Sequence, residues 1–144
     1  MGRVMAVDVG ERRIGLAFSD EMKTFPAVQQ TLERQEGYRA DMRRIRQLVE
    51  ESNVELVVVG LPLHLDGSAG TSAHAAREFA EALRRYVAVP VLEVDERLST
   101  VEAERMLLHA DVGRKKRRQV VDGVAAGVIL QAYLDAIRKD GQER

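Results

Sequence analysis

The sequence has no cysteine and no tryptophan among its 144 residues, and aromatic residues make up only 4% of it. The lack of cysteine excludes disulfides, thiolate metal sites and a cysteine nucleophile. The scarcity of aromatic rings argues against a platform on which single-stranded bases stack. The longest apolar runs, Leu56–Leu63 and Gly123–Leu130, are far shorter than the ~18 residues that a membrane span needs.

The sequence also has no excess of either charge, since it contains 22 Lys and Arg residues and 23 Asp and Glu residues, and its net charge is −1. Any nucleic-acid-binding signal must therefore lie in local clusters. The N-terminal apolar stretch is interrupted by Asp8, which is not typical of a signal peptide. We expect a soluble cytoplasmic protein with no membrane partner, made of one domain over residues 1–138 and a frayed tail over residues 139–144.

The hydrophobic pattern predicts an α/β fold in the order β-β-β-α-β-α-β-α-α. The three leading strands form a meander, and the two later strands are each reached through a helix. We therefore expect a mixed five-stranded sheet with helices on both faces. The last helix is apolar nearly all round, which predicts burial. In chain order the predicted elements are Arg3–Gly10, Ile14–Ser19, Ala27–Leu32, Tyr38–Glu51, Leu56–Gly60, Ala73–Tyr86, Val89–Val94, Ser99–Ala110 and Val120–Arg138.

Acidic residues follow two of the buried strands. Asp8 ends the first strand, and Glu93, Asp95 and Glu96 surround the end of the fifth. A buried carboxylate is costly unless it is paired, hydrogen-bonded or bound to a metal, and ligands of open α/β sheets collect at the carboxyl ends of strands. Alternation puts Glu93 and Asp95 on one side of their strand, with Glu96 just past its end. Taken singly, each acid also fits a plain structural role, such as capping a turn or pairing with Arg97.

A further acid, Asp122, opens the last helix, where capping and the helix dipole alone would explain it. Small residues one turn later, Ala125 and Ala126, let this helix approach the sheet, which would bring Asp122 towards the strand ends. Carboxylates that meet there form a hard-oxygen site suited to Mg²⁺ or Mn²⁺, and two such ions about 3.5–4 Å apart serve phosphodiester hydrolysis. The histidines lack the spacing of metal ligands; they are His64, His74 and His109.

An unbroken run of five cations stands shortly before Asp122. Such a run is either a solvated loop or a set of phosphate contacts. Arg12 and Arg13, just after Asp8, are further candidates for contact with nucleic acid. With so few aromatic rings, recognition of the backbone and shape of structured nucleic acid fits better than base stacking. The run consists of Arg114, Lys115, Lys116, Arg117 and Arg118.

Four motifs follow one another along nearly the whole chain. They read Val7-Asp8-Val9-Gly10 with Arg13-Ile14-Gly15; Val59-Gly60-Leu61-Pro62-Leu63 with Asp66-Gly67; Asp95-Glu96-Arg97-Leu98-Ser99-Thr100; and Val121-Asp122 with Ala125-Ala126 and Ile129-Leu130-Gln131. Each is weak by itself, but together and in this order they resemble the bacterial YqgF/RuvX family.

That resemblance implies a ribonuclease H-like fold and a nuclease, dependent on Mg²⁺ or Mn²⁺, that matures the 5′ end of pre-16S ribosomal RNA. An older proposal for the family is Holliday-junction resolution on branched DNA. The family's catalytic and metal-binding acids fall on Asp8, Glu96 and Asp122, with the adjacent Asp95 as an alternative for the middle one. Arg97, within the third motif, joins the candidate nucleic-acid contacts.

Other functions stay open on the sequence alone. An Asp-x-Gly turn after a first strand also occurs in actin-like ATPases and sugar kinases, but 144 residues make one lobe, and no P-loop is present. A non-catalytic nucleic-acid-binding module of ribosome assembly would use the basic run and leave the acids as caps. The chain is either a monomer or a homodimer, and a symmetric four-way junction would favour the homodimer.

Overall fold

The structure is a computed structural model that describes residues 2–35, 37–62, 70–95 and 125–137. These ranges contain a helix over residues 125–137, and no helix within them is long and apolar enough to cross a membrane. The other elements are β1 (Arg3–Val9), β2 (Arg13–Ser19), β3 (Pro26–Glu33), α1 (Tyr38–Glu51), β4 (Val54–Leu61), α2 (Thr71–Arg84) and β5 (Val91–Asp95).

The five strands form one mixed sheet in the order β3-β2-β1-β4-β5. β1 pairs antiparallel with β2, and β2 pairs antiparallel with β3. β4 joins β1 in parallel, and β5 joins β4 in parallel. The predicted meander and the two strands reached through helices are thus confirmed. In this topology the carboxyl ends of β1, β4 and β5 meet at one end of the sheet, where ligands of open α/β sheets bind.

Buried side chains cover both faces of the sheet. On what we call the first face, Met5 and Val7 of β1 pack with apolar residues of α1 and α2. On the second face, Val4 and Ala6 of the same strand pack against the helix over residues 125–137. This alternation follows from the two-residue period of a strand. The helix contributes Ala126, Ile129, Leu130 and Leu134 to the second face.

Strand β4 lies inside the sheet and is covered on both sides, as its unbroken apolar run predicts. Val57 and Val59 belong to the cluster on the first face, and Val58 belongs to the cluster on the second. Helix α1 has the predicted bounds, and α2 begins two residues earlier than predicted, at Thr71. The predicted apolar stripe of α2 is buried; it consists of Ala76, Phe79, Ala80 and Leu83.

Two predictions about elements were wrong. Strand β5 begins at Val91 and not at Val89, because Pro90 has no N–H to donate to a ladder; only its carbonyl takes part, accepting from the Val57 N–H at 3.0 Å. The helix over residues 125–137 is not buried all round, since Ala132 and Ala136 are exposed on the side away from the sheet. The predicted helix Ser99–Ala110 and residues 120–124 and 138 lie outside the described residues.

Candidate active site

Asp8 is the last residue but one of β1 and is half-buried. Its side chain lies on the second face, because Val4 and Ala6 of the same strand pack there and alternate residues share a face. The carboxylate therefore stands at the end of the sheet where β1, β4 and β5 finish. It is on the side that the helix over residues 125–137 covers.

The residues beside Asp8 in the neighbouring strands are glycines. Gly15 of β2 is its antiparallel partner, and Gly60 of β4 comes directly after Val59, which pairs with Val7. Because glycine has no Cβ, these two positions themselves add no side chain next to Asp8. A carboxylate is the hard oxygen ligand that Mg²⁺ and Mn²⁺ prefer. The described residues thus supply one carboxylate, Asp8, of the metal site expected from the sequence.

The helix over residues 125–137 approaches this face closely. Ala126 is fully buried in one cluster with Ala6 and Ala17 of the sheet, so small residues meet from both sides, as the sequence predicts. Asp122 comes four residues before Ala126, which is about one helical turn. Asp122 itself lies outside the described residues, and its meeting with Asp8 stays a prediction.

The acids of β5 lie on the other side of the sheet from Asp8. Glu93 pairs with Val59 of the first face, Asp95 pairs with Leu61, and Val94 between them packs on the second face. The expectation that Glu93 and Asp95 share a side is confirmed. Glu96 and Arg97 are outside the described residues.

Arg12 lies in the turn that joins β1 to β2, and Arg13 is the first residue of β2. Arg12 is exposed and Arg13 is half-buried. The turn is tight, since the Gly10 N–H donates to the Arg13 carbonyl at 2.9 Å and a Cβ on Gly10 would lie 2.5 Å from that oxygen. Only glycine fits there without a backbone shift. Both arginines follow Asp8 closely in the chain, four and five residues after it.

The remaining predicted site residues are not brought together in the described part of the chain. The basic run, His64 and His109 lie outside it, and His74 is exposed on α2. Within residues 2–35, 37–62, 70–95 and 125–137, no group of three or more His, Asp or Glu side chains is placed to hold a metal ion. Glu96 and Asp122, the other acids predicted for a metal site, lie outside these ranges.

Sequence reasoning missed two residues next to the candidate site, Arg34 and Asp41. Arg34 follows β3, and its Nη1 donates to the carbonyl of Gly10 at 2.9 Å. Asp41 is buried in the first turn of α1 and pairs with Arg34 at 3.2 Å. The signal in the sequence is an acid on the buried side of an amphipathic helix, which needs a partner. The partner's identity depends on tertiary contacts.

The sequence matches the model of one protein family over residues 2–136; that family is RuvX, described as Holliday junction resolvase. Curated relatives are similar over almost their whole length. A protein of Syntrophomonas wolfei is 46% identical over 133 residues, covering 92% of this chain and 94% of that protein. One of Moorella thermoacetica is 46% identical over 139 residues, covering 96% of this chain and 99% of that protein. Both are provisionally named pre-16S rRNA nucleases.

Solved structures of RuvC from Thermus thermophilus have the same fold at low sequence identity. RuvC in complex with a Holliday junction substrate superposes with a TM-score of 0.54 at 14% identity, covering 95% of this chain and 96% of RuvC. A second RuvC structure gives a TM-score of 0.51 at 13% identity, covering 94% and 96% of the two chains. The fold is therefore ribonuclease H-like, as expected.

Proposed function

Since this chain belongs to the RuvX family, we propose that it is a nuclease that hydrolyses phosphodiester bonds during 5′-end processing of pre-16S rRNA. The observation that carries the proposal is the position of Asp8. Its half-buried carboxylate stands at the carboxyl end of β1, between Gly15 and Gly60, on the face that the helix over residues 125–137 covers. The relatives provisionally named pre-16S rRNA nucleases support the choice of substrate.

The catalytic acids of the proposed site are Asp8, Glu96 and Asp122, which would hold Mg²⁺ or Mn²⁺. The faces of β5 favour Glu96 as the middle acid, because the neighbouring Asp95 lies on the side opposite Asp8. Asp122 is favoured by the close approach of Ala126 to the sheet. When bound, the metal supplies a hydroxide nucleophile and stabilises the leaving oxygen.

Cations around this end of the sheet would hold the RNA backbone. Arg12 in the β1–β2 turn and Arg13 at the start of β2 follow Asp8, and phosphate contacts position a substrate without reading its bases. An rRNA-processing role places the protein in the cytoplasm. The remaining proposed contacts are Arg97, Arg114, Lys115, Lys116, Arg117 and Arg118.

Replacing Asp8 by Asn tests the proposal. We expect Asp8→Asn to lower the rate of Mn²⁺-dependent cleavage of a pre-16S leader RNA by at least about a hundredfold, because loss of even an outer-shell partner of a metal ligand costs about 10–100-fold. Its affinity for the RNA, measured by fluorescence anisotropy with chelator present, should stay within about twofold, because Asp8 donates nothing to phosphates.

The matched control is Asp135→Asn, which neutralises an exposed carboxylate on the helix over residues 125–137 and should cleave like the wild type. Among the strand-end acids, Glu96→Gln should lower cleavage far more than Asp95→Asn. Wild-type cleavage by Asp8→Asn would reject the catalytic assignment and leave a module that binds RNA without cutting it.

A second candidate substrate is a four-way DNA junction, which the description of the matching family favours. The ribose 2′-OH distinguishes the two substrates only through detailed groove contacts. A symmetric junction has two scissile strands, so its resolution calls for a homodimer. Cleavage of the junction in preference to the RNA leader, by a protein that sediments as a dimer, would replace the RNA proposal with this one.

A further inference from the structure

Arg34 holds both sides of the turn that follows Asp8. Its guanidinium Nη1 donates to the carbonyl of Gly10 at 2.9 Å, and its backbone N–H donates to the carbonyl of Arg12 at 2.9 Å. Gly10 comes two residues after Asp8, and Arg12 is one of the proposed phosphate contacts. A single residue thus fixes two carbonyls of the segment on which the proposed chemistry depends.

Arg34 is in turn held by two helices. Its Nε donates to Oδ2 of Asp41 at 3.2 Å, and Oδ1 of Asp41 accepts from the Gln35 N–H at 3.0 Å. Asp41 is only 4% exposed, although it is charged and lies in the first turn of α1. The Arg34 guanidinium carbon also lies 5.7 Å from the ring centroid of Phe79 in α2, within the range of a cation–π contact. The group is therefore fixed in direction and cannot simply swing to another acceptor.

We propose that Arg34, oriented by Asp41, is a positioning residue that sets where the β1–β2 turn holds Asp8 and Arg12. The inference rests on the proposed nuclease function for its catalytic consequence. Charge-assisted hydrogen bonds are short and directional, and the planar guanidinium donates to Asp41 and to Gly10 from two different nitrogens, whereas lysine has one. Small displacements of a catalytic group have large effects on rate. Arg34 itself does not touch the substrate.

The test compares Arg34→Lys and Asp41→Asn with the wild type and with Arg46→Lys. Lysine keeps the positive charge but presents a single ammonium, and Asn keeps an acceptor for the Gln35 N–H. Arg46 is the matched control, because it is an exposed arginine of the neighbouring helix that pairs with Glu50 and not with the turn. The readouts are amide hydrogen exchange at Gly10 by NMR, Mn²⁺ affinity by calorimetry, and kcat and KM on the pre-16S leader.

We expect Arg34→Lys to exchange the Gly10 amide faster and to lower kcat by about tenfold, the lower range for groups that orient a metal site, with KM unchanged within about twofold. Mn²⁺ affinity should fall as well. Asp41→Asn should change the same quantities in the same direction. The double variant should lose no more than the worse single variant, because both residues act through one link. Arg46→Lys should behave like the wild type.

Unchanged exchange at Gly10 and unchanged kcat in a folded Arg34→Lys protein would overturn the positioning role. If Arg34→Lys does not fold, the same measurements on Asp41→Asn test the positioning role. A wild type that does not cleave, together with faster Gly10 exchange in Arg34→Lys, would reject the proposed function and keep the structural link. The two failures are therefore distinguishable.

Discussion

At the scale of single residues, the surroundings of Asp8 matter more than its burial. A strand-end carboxylate in an ordinary sheet has side chains of both neighbouring strands beside it, whereas Asp8 is flanked by Gly15 and Gly60. Glycine weakens a strand interior and marks places where a ligand comes close. Glycines on both sides of one acid are therefore costly for stability and consistent with a site that must admit a phosphate.

A second acid, Asp20, shows what a carboxylate does when its role is structural. It closes the β2–β3 connection by accepting from the Thr24 N–H and hydroxyl at 2.7 Å each and from the Phe25 N–H at 3.1 Å. These hydrogen bonds, first of all the one from the Thr24 hydroxyl, lower the pKa of Asp20 from 3.8 to about 2. A carboxyl group whose pKa is lower in the folded state than in the unfolded state stabilises the fold at pH values above its unfolded-state pKa. This stabilisation is lost as the pH falls through the folded-state pKa.

We therefore predict that Asp20 stabilises the protein above about pH 4 and that this contribution disappears between about pH 4 and pH 2. Asp20→Asn keeps an acceptor oxygen but has no charge to titrate. The Tm of the wild type should exceed that of Asp20→Asn at neutral pH, and the difference should shrink over this window when followed by circular dichroism. Glu21→Gln, at the exposed neighbouring position, is the control. A difference that stays constant from pH 6 to pH 2 would contradict the assignment.

At the scale of elements, the site depends on how closely the helix over residues 125–137 packs on the sheet. Ala126 is fully buried where the sheet presents Ala6 and Ala17. Interiors are close-packed, so a larger side chain at this contact must push the helix away or distort its neighbours. Asp122 stands four residues before Ala126 in the sequence.

We predict that Ala126→Leu lowers the free energy of unfolding by about 1–3 kcal/mol, the usual effect of overpacking. The control is Ala132→Leu on the exposed side of the same helix, which should change it by no more than about 0.5 kcal/mol. Denaturant unfolding followed by circular dichroism measures both variants. Equal stabilities of the two would show that Ala126 is not packed on the sheet.

The sequence predicted elements best where local signals agree. Helix α1 begins and ends as predicted, since its apolar period starts directly after Gly37, whose φ of +81° favours glycine. The predicted start of β5 was wrong because the apolar pattern includes Val89 and Pro90, whereas the strand's hydrogen bonding begins only after Pro90. The prediction that the last helix is buried all round was wrong, because apolar composition alone does not show which side of a helix faces solvent.

The candidate site was only partly predictable, because it depends on contacts between elements that are distant in the sequence. Alternation places Glu93 and Asp95 together from sequence alone, but whether they share a face with Asp8 depends on the register between β1, β4 and β5, which puts them on the opposite face. The link from Asp41 through Arg34 to Gly10 joins three elements, and no spacing rule connects residues across a sheet and a helix.

At the scale of the whole molecule, the proposed function depends on both the distribution of charge and the topology of the sheet. A net charge of −1 gives no general attraction to nucleic acid, so the proposed binding depends on local clusters of cations. The mixed sheet brings the ends of β1, β4 and β5 together, and acids separated by more than a hundred residues in the chain are proposed to meet there. The proposed nuclease function depends on Asp8, Glu96 and Asp122 lying close together.

Diffraction from crystals soaked in MnCl₂ tests it most directly, because manganese scatters anomalously and marks its own position. We predict an anomalous peak with carboxylate oxygens of Asp8, Glu96 and Asp122 in its coordination sphere, at about the 2.0–2.2 Å typical of small divalent cations, and no peak in crystals of Asp8→Asn. A manganese ion bound elsewhere, or an Asp122 carboxylate pointing away from Asp8 into solvent, would contradict the account.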